Sequence, residues 1–256
     1  MSIEALSTNL GNVAGNETQI RRAFEQPQWY LGGTAYNIRI RAETVAGFGN
    51  NARFDNILDI GCGDGSLSLP LLNGANRLTF LDRSQAMLSI ARSRVPASFS
   101  ANVRSINADF MEAELGHHNF DLVIAVGVLA YVERRRAFVE RIKALLRPGG
   151  SLIIECTDVS HFISRLILTY HALRRSLKST QLRTVVGSSS ELLAICEGVG
   201  FERCRPYRYS LPLPVIRKLM TQNLSYRAIR LIFGTATHSR NGWLGNECIY
   251  HFGLPK

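Results

Sequence analysis

The chain has 256 residues, of which 46% are hydrophobic, and a formal net charge of +10. This length and composition suit one globular domain with a sizeable core and exclude an intrinsically disordered chain. We expect no membrane span, since no apolar run reaches the roughly 18 residues that a spanning helix needs. The N-terminus also lacks the basic start and apolar core of a secretory signal.

The cysteines are five in number, irregularly spaced, and contain no Cys-x-x-Cys pair. This pattern favours neither a disulfide framework nor a metal site. We therefore predict free thiols, no bound metal and a cytoplasmic location.

The positive charge is uneven along the chain. Residues 1–150 hold 16 Lys and Arg against 14 Asp and Glu, whereas residues 151–256 hold 14 against 6. A basic C-terminal half favours an anionic substrate, a membrane surface or nucleic acid as a partner, although arginines that only keep exposed helices soluble would give the same excess.

Short β-rich runs alternate with helical patterns, which is typical of a parallel sheet with crossover helices. A helical stretch is predicted first, over residues 17–47. Strands are then predicted at 56–60, 77–82, 103–108, 120–126, 151–155, 201–209 and 247–252. Helices are predicted at 66–72, 85–94, 133–146, 157–186, 188–199 and 215–233.

A glycine-rich turn, Asp59-Ile60-Gly61-Cys62-Gly63-Asp64-Gly65, follows the first strand. Such a turn lets the backbone approach a ligand closely, and a carboxylate that ends the next strand, here Asp82, can bind both hydroxyls of a ribose. Ser66 stands where a dinucleotide fingerprint has its third glycine, which disfavours an NAD(P) oxidoreductase. Asp59 is a poor neighbour for pyrophosphate and a good one for the ammonium of an amino acid.

The turn resembles the first motif of class I S-adenosylmethionine (SAM)-dependent methyltransferases, and the similarity extends over about residues 50–155. Later motifs of that family are matched in order by Asp82, Asn107–Phe110, Phe120–Val132 and Leu146–Gly150. The resemblance implies that Asp82 holds the SAM ribose and that Asp109 takes the adenine amino group. The full set of expected cofactor contacts is Tyr30, Tyr36, Asp59, Gly61, Cys62, Gly63, Asp82, Arg83, Met87, Ala108, Asp109, Phe110, Val126 and Tyr131.

The resemblance also implies the fold, a seven-stranded Rossmann-like α/β sheet with strand order 3-2-1-4-5-7-6, strand 7 antiparallel and helical cap insertions. We expect a single domain over residues 1–256. Residues 1–50 would form an N-terminal helical lid, residues 51–156 the SAM-binding core, and residues 157–186 and 210–245 the substrate cap segments.

SAM carries an already activated methyl group, so a catalytic base is not obligatory. A carbon nucleophile would need one, and the candidates are Tyr131, Glu133, His161 and His171. A packing or surface role is an alternative for each of them. The acceptor atom and the oligomeric state stay open.

The cap segments are basic and amphipathic, which favours a small amphiphilic, anionic acceptor such as a natural-product, prenyl or phosphorylated precursor. A lipid methyltransferase that binds the membrane surface, an RNA methyltransferase and a non-catalytic SAM-binding protein are the alternatives. Nucleic acid is disfavoured, because Val126-Gly127-Val128-Leu129 stands where base-amino methyltransferases carry Asp/Asn-Pro-Pro-aromatic.

Overall fold

A computed structural model describes residues 35–49, 52–175, 187–211, 216 and 219–256, with the backbone alone at 168 and 170–175. Seven strands of this part of the chain form one sheet, in the order β3-β2-β1-β4-β5-β7-β6. The strands are β1 Asn56–Ile60, β2 Arg77–Asp82, β3 Val103–Asn107, β4 Phe120–Ala125, β5 Leu146–Thr157, β6 Glu202–Tyr209 and β7 Glu247–Gly253.

Helices connect the strands and cover the sheet. They are α1 Ala35–Gly49, α2 Gln85–Ser93, α3 Arg135–Leu145, α4 Phe162–Arg175, α5 Ser189–Val199 and α6 Gln222–Phe233. Short 3₁₀ turns lie at Leu69–Leu71, Ala97–Asn102, Leu129–Tyr131 and Gly242–Leu244.

The strand directions confirm the predicted topology. The pairs β1–β2, β2–β3, β1–β4 and β4–β5 are parallel, and β7 runs antiparallel to both β5 and β6. The chain first extends the sheet from β1 to β3 and then returns to the other side of β1 with β4. In open α/β sheets, ligands bind at this switch point, beside the C-terminal ends of the strands.

Both faces of the sheet are covered by apolar side chains. Helices α3 and α5 pack on one face, through residues that include Phe138 and Leu192. Helices α1, α2 and α6 pack on the other, through residues that include Phe48, Leu88 and Phe233. Strand β4 contributes alternate residues to the two cores, which accounts for its apolar run from Leu122 to Ala125.

Four predicted elements need correction. The helix expected at 157–186 begins only at Phe162, because Thr157 still belongs to β5, and the helix expected at 215–233 is interrupted at residues 219–221 before α6 begins at Gln222.

The helix expected at 66–72 is only the 3₁₀ turn Leu69–Leu71, because Pro70 lacks the N–H that an α-helix would direct to the Ser66 carbonyl. Strand β5 begins at Leu146 rather than at residue 151, and it continues past a register shift in its pairing with β4.

Part of the predicted lid and cap lies outside the described residues. This holds for residues 1–34 and 50 of the lid, for residues 176–186 of the first cap segment, and for residues 212–215, 217 and 218 of the second. Helices α4 and α6 fall within the two predicted cap segments. Within the described ranges, no helix combines the length and apolar character needed to cross a membrane.

Helix α1 is attached to the sheet by a buried ion pair. Arg41 donates from Nε to Glu155 Oε1 at 2.8 Å, and its Nη2 lies 2.7 Å from Glu155 Oε2. Glu155 is almost fully buried, near the end of β5. An uncompensated carboxylate at this position would be strongly destabilising.

We expect Arg41→Met to lower the free energy of unfolding by about 3–5 kcal/mol, since it leaves the Glu155 charge buried without its guanidinium partner. Adding Glu155→Gln should restore part of that loss. Arg39→Met is the matched control on the same helix, because the Arg39–Glu43 pair is exposed and should contribute only about 1 kcal/mol or less. Urea denaturation of the three variants measures the differences, and equal losses for Arg41→Met and Arg39→Met would contradict the assignment.

Candidate functional site

The turn after β1 is held against the end of β2 by backbone hydrogen bonds. The Gly61 N–H donates to the Leu81 carbonyl at 2.7 Å, and the Cys62 N–H donates to the same oxygen at 3.2 Å. Gly61, Gly63 and Gly65 all have positive φ angles, of 65°, 54° and 76°. This left-handed backbone is unfavourable for residues with a Cβ, which explains why glycine alternates through the turn.

The three glycines differ in what surrounds them. A Cβ at Gly61 would overlap Val128 Cγ1, and one at Gly65 would lie 3.1 Å from the Leu69 and Phe80 side chains. A Cβ at Gly63 would meet no described atom within 4 Å. Gly61 and Gly65 therefore permit packing, whereas Gly63 exposes its backbone to an approaching ligand.

Asp82, the last residue of β2, holds the turn in place through hydrogen bonds to its backbone. Its Oδ2 accepts from the Gly63 N–H at 2.9 Å and its Oδ1 from the Ser84 N–H at 2.8 Å. Burial raises the pKa of Asp82, and these backbone donors oppose the rise. Each carboxylate oxygen can accept a further hydrogen bond, so Asp82 can also bind a ligand diol.

Asp59 in β1 is the unusual group of the site. Its Oδ2 accepts from Ser68 Oγ at 2.5 Å, whereas the buried Oδ1 has no hydrogen-bond partner among the described residues. Burial raises the pKa of Asp59 to about 7, against the Ser68 hydrogen bond, and the charges of Asp82 and Asp64 add to the rise. A buried polar oxygen is normally paired, so this one points to a donor or cation that belongs to a ligand.

Asp109 completes the carboxylate set just after β3. Its Oδ1 accepts from the Met111 N–H at 2.7 Å, and its Oδ2 lies 3.3 Å from Arg83 Nε. The backbone N–H of Ala108 donates to the Asp82 carbonyl at 3.2 Å. The structure thus brings together Asp82, Arg83, Ala108 and Asp109, and their contact with a cofactor stays a prediction.

Other predicted contact residues are apolar and largely buried: Cys62, Met87, Phe110 and Val126. Phe110 packs edge-on against Phe138, with ring centroids 4.9 Å apart. Met87 begins the buried side of α2, where its N–H donates to the capping Ser84 Oγ at 3.2 Å. Cys62 and Val126 belong to the core on one face of the sheet and Phe110 to the core on the other, and contact of these side chains with a cofactor stays a prediction.

The predicted catalytic candidates are dispersed. Tyr131 is half-buried at the end of the Leu129–Tyr131 turn, and Glu133 is exposed. His161 has both ring nitrogens engaged, with Nδ1 accepting from the Ile163 N–H at 3.3 Å and Nε2 lying 2.9 Å from the Trp243 carbonyl oxygen. These bonds favour a structural role for His161 at the start of α4.

The remaining predicted site residues are the two lid tyrosines, Tyr30 and Tyr36, and His171. Tyr30 and the His171 side chain lie outside the described residues. Tyr36 is buried in α1, where it packs in the apolar cluster of the sheet face, and its N–H donates to Gln222 Oε1 at 3.2 Å. Packing between α1 and α6 is the role that these contacts support for Tyr36.

A buried polar cluster beside the switch point was missed by the sequence analysis. It consists of Asn37, Arg41, Glu155, Tyr209 and Glu247. The Tyr209 hydroxyl lies 2.7 Å from Asn37 Oδ1 and 3.3 Å from Glu155 Oε1. These residues come from α1, β5, β6 and β7, so no local motif contains them.

The polar cluster holds two carboxylates and one guanidinium. Burial raises the pKa of Glu247 to about 7, and the Glu155 charge adds to the rise, while Arg41 and a 2.9 Å hydrogen bond from Thr157 Oγ1 oppose it. Arg41 Nη1 also lies 3.5 Å from where a Cβ of Gly127 would be, in the loop after β4. The polar cluster therefore borders the sheet edge that carries Asp59, Asp82 and Asp109, which we call the ligand edge. It also contains a carboxyl, that of Glu247, able to exchange a proton near neutral pH. Its one sequence signal was Glu155, an acidic residue in an otherwise apolar strand.

Comparison with known proteins agrees with this geometry. Residues 57–150 match the family model described as a methyltransferase domain. An uncharacterized methyltransferase of Mycobacterium bovis is 35% identical over 98 residues, which are 38% of this chain and 48% of that protein. A malonyl-[acyl-carrier protein] O-methyltransferase of Paenibacillus sp. is 35% identical over 111 residues, 42% of this chain and 40% of that protein. The chain thus spans less than half the length of these two relatives.

The fold is shared more widely than the sequence. Magnesium protoporphyrin IX methyltransferase from Synechocystis, solved with bound S-adenosylhomocysteine (SAH), superposes with a TM-score of 0.62 at 17% identity, over 93% of this chain and 99% of that one. Residues 57–150 therefore match a methyltransferase domain, and the chain shares the fold and strand order of the class I SAM-dependent methyltransferases that it resembles.

The glycine environments predict unequal effects of the same substitution. Both Gly61→Ala and Gly63→Ala place a Cβ on left-handed backbone, but only the first also forces Val128 to move. We expect Gly61→Ala to lower the free energy of unfolding by about 1–3 kcal/mol more than Gly63→Ala does. Urea denaturation of both variants tests this, and equal losses would show that contact with Val128 does not restrict residue 61.

Proposed function

We propose that this chain transfers a methyl group from SAM to a small-molecule acceptor that is amphiphilic and anionic. The observation that carries the cofactor assignment is the buried Asp59 Oδ1, which lacks a described partner and lies in the strand that leads into the open Gly63 turn. A cationic amino-acid group is the ligand feature that satisfies such an oxygen.

The residues present fit SAM. Asp59 would bind its ammonium group directly or through water, and Gly63 would let the backbone approach the ligand. Asp82 would bind the ribose hydroxyls with the lone pairs that Gly63 and Ser84 leave free, and Asp109 would accept from the adenine amino group. The three carboxylates lie at the adjacent strands β1, β2 and β3. This order matches the order of the ammonium, ribose and adenine groups along the cofactor.

The bound cofactor supplies an activated methyl group on a sulfonium. The task of the chain is to hold the acceptor in line with that methyl group and to exclude water, and alignment alone can contribute roughly 7–11 kcal/mol in the best cases. Glu247 is positioned to take or release a proton at the edge of the site, in concert with Arg41 and Glu155.

The acceptor class is inferred from charge and from the amphipathic cap helices. Residues 151–256 hold 14 Lys and Arg against 6 Asp and Glu. Helix α6 buries Ile229 and Phe233 against the body of the protein, whereas Leu224 and Arg227 are exposed. Apolar surface bordered by arginines suits a molecule with both a hydrocarbon part and an anionic group.

Binding of SAH should depend on pH through Asp59. The pKa of Asp59 is about 7 in the free protein, and the ligand ammonium favours the ionised form. About one tenth of the carboxyl is ionised at pH 6 and about nine tenths at pH 8, so we expect affinity to rise roughly tenfold over this range. Isothermal titration calorimetry measures the affinity for SAH of the wild type and of Asp59→Asn at each pH. The ratio of the two affinities removes the contribution of the ligand's own titration, which is the same for both proteins.

Asp64→Asn is the matched control for this experiment. Asp64 lies in the same turn, but its carboxylate contacts Arg94 and Ser66. The control should keep the rise in affinity with pH, with its midpoint moved to lower pH because the Asp64 charge no longer raises the pKa of Asp59. The same pH dependence in Asp59→Asn would rule out an Asp59–ammonium contact, and absence of SAH binding at any pH would refute the cofactor assignment.

The acceptor class can be tested with paired substrates. We expect kcat/KM to be at least about tenfold higher for an amphiphilic carboxylic acid or phosphate monoester than for its neutral amide or alcohol, since arginine pairs with the anion. Methyl transfer from labelled SAM to such pairs provides the measurement. A preference for the neutral member would contradict the anionic acceptor while leaving SAM binding unaffected.

A further inference from the structure

The exposed large hydrophobic side chains of this protein are concentrated in one region. In the described part of the chain, all of them except Met111 lie in residues 157–186 and 210–245. They are Phe162, Leu166, Ile216, Leu219, Leu224, Leu231, Ile232 and Trp243. Leu231 is 77% exposed and Trp243 is 70% exposed, and a contiguous patch of such side chains marks an interaction surface.

Hydrogen bonds bring together the segments that carry several of these residues. The His161 ring bonds the Trp243 carbonyl oxygen at 2.9 Å, which places the start of α4 beside the Gly242–Leu244 turn. Asn241 Nδ2 donates to the Ile232 carbonyl at 2.9 Å, which places the same turn beside the end of α6. We call the surface formed by Phe162, Leu166, Leu231, Ile232 and Trp243 the cap face.

Both helices present their cap-face residues away from the core. In α6, Ser225, Ile229 and Phe233 are buried, while Leu224, Arg227 and Leu231 form an exposed stripe with helical spacing. In α4, Phe162 and Leu166 are exposed four residues apart, and Arg165 is exposed between them. Ser164, on the opposite side, is buried and donates to the Asp158 carbonyl at 2.6 Å.

The chain segments that carry the cap face contain charged residues of one sign. Residues 159–190 and 203–246 contain no Asp or Glu, but they contain 5 and 8 Lys and Arg respectively. Some of these cations are used internally, since Arg208 pairs with Asp158 and Arg230 with Glu43. Arg165, Arg227 and Arg240 are exposed near the cap face.

We propose that the cap face docks on the surface of an anionic lipid bilayer. Nucleic acid would account for the arginines but not for the exposed Leu231 and Trp243. A neutral apolar partner would account for Leu231 and Trp243 but not for the arginines. An anionic bilayer offers negative headgroups to arginine and an acyl boundary to leucine and phenylalanine, and tryptophan favours the level between them. This interaction goes beyond the proposed function, because it requires neither SAM nor an acceptor.

The test is flotation of the full chain with vesicles, in the absence of SAM. We expect it to bind mixed phosphatidylcholine–phosphatidylglycerol vesicles at low salt, to bind pure phosphatidylcholine far less, and to lose binding at high salt. The double variants Leu231→Ser/Trp243→Ser and Arg165→Gln/Arg227→Gln should each reduce the partition coefficient roughly tenfold or more. Arg77→Gln/Arg104→Gln removes two exposed arginines from β2 and β3, as the matched charge control, and should bind like the wild type.

The variants alter exposed side chains, and unchanged thermal unfolding will verify that each has folded. Failure of the wild type to float with mixed vesicles, or equal binding to both vesicle types, would overturn the proposal. Self-association or RNA binding that the cap-face variants abolish, without vesicle binding, would assign the surface to another occupant and overturn it as well. An equal loss of vesicle binding in the Arg77→Gln/Arg104→Gln control would show that binding depends only on net charge, and this result would also overturn the proposal.

Discussion

The hydrogen bond from the Gly63 N–H to Asp82 fixes the geometry on which the ligand edge depends. It joins the turn after β1 to the end of β2, and the two bonds to the Leu81 carbonyl hold the same turn one residue earlier. A glycine loop without such bonds would sample many conformations, since glycine restricts its backbone least. Here these hydrogen bonds hold the loop in place, so the open side of Gly63 and the adjacent carboxylates are presented to a ligand without prior rearrangement.

The buried carboxyls of Asp59 and Glu247 destabilise the folded protein when they are ionised. Asp59 and Glu247 lie in separate environments, yet burial raises the pKa of each to about 7. An ionised carboxylate is unfavourable in such surroundings unless a cation pairs with it. Arg41 is shared by Glu155 and Glu247, and Asp59 has no guanidinium partner among the described residues. Neither carboxyl is explained by packing, which supports a role for both in binding or proton exchange.

The sequence predicted the strands well because each is set by local information. Apolar runs bounded by turn residues located β1 and β2 at their observed limits, and the family resemblance supplied their order. The helix at 66–72 was wrong because its apolar spacing outweighed Pro70, whose missing N–H has a fixed structural consequence. The cluster of Arg41, Glu155 and Glu247 could not be read from the sequence, since more than 90 residues separate consecutive members and only the folded sheet brings them together.

Residue type alone was a poor guide to catalytic groups. His161 was selected because histidine titrates near neutrality, but its ring bridges the start of α4 and the Trp243 turn. Glu247 was not among the candidates because no local motif marks it, and only burial and the charge of Glu155 raise its pKa. The environment of a group, rather than its identity, decides whether it can exchange a proton at pH 7.

The distribution of charge gives the ligand edge and the cap opposite characters. The polar cluster near Gly127 has more carboxylates than cations, whereas the segments around the cap face have arginines and no acid. An amphiphile with one anionic group would therefore place that group toward the cap and present its other end to the sheet edge, because the reverse orientation would bring its charge against Glu155 and Glu247. On the proposed function, the same charge asymmetry that attracts an acceptor would also orient it for methyl transfer.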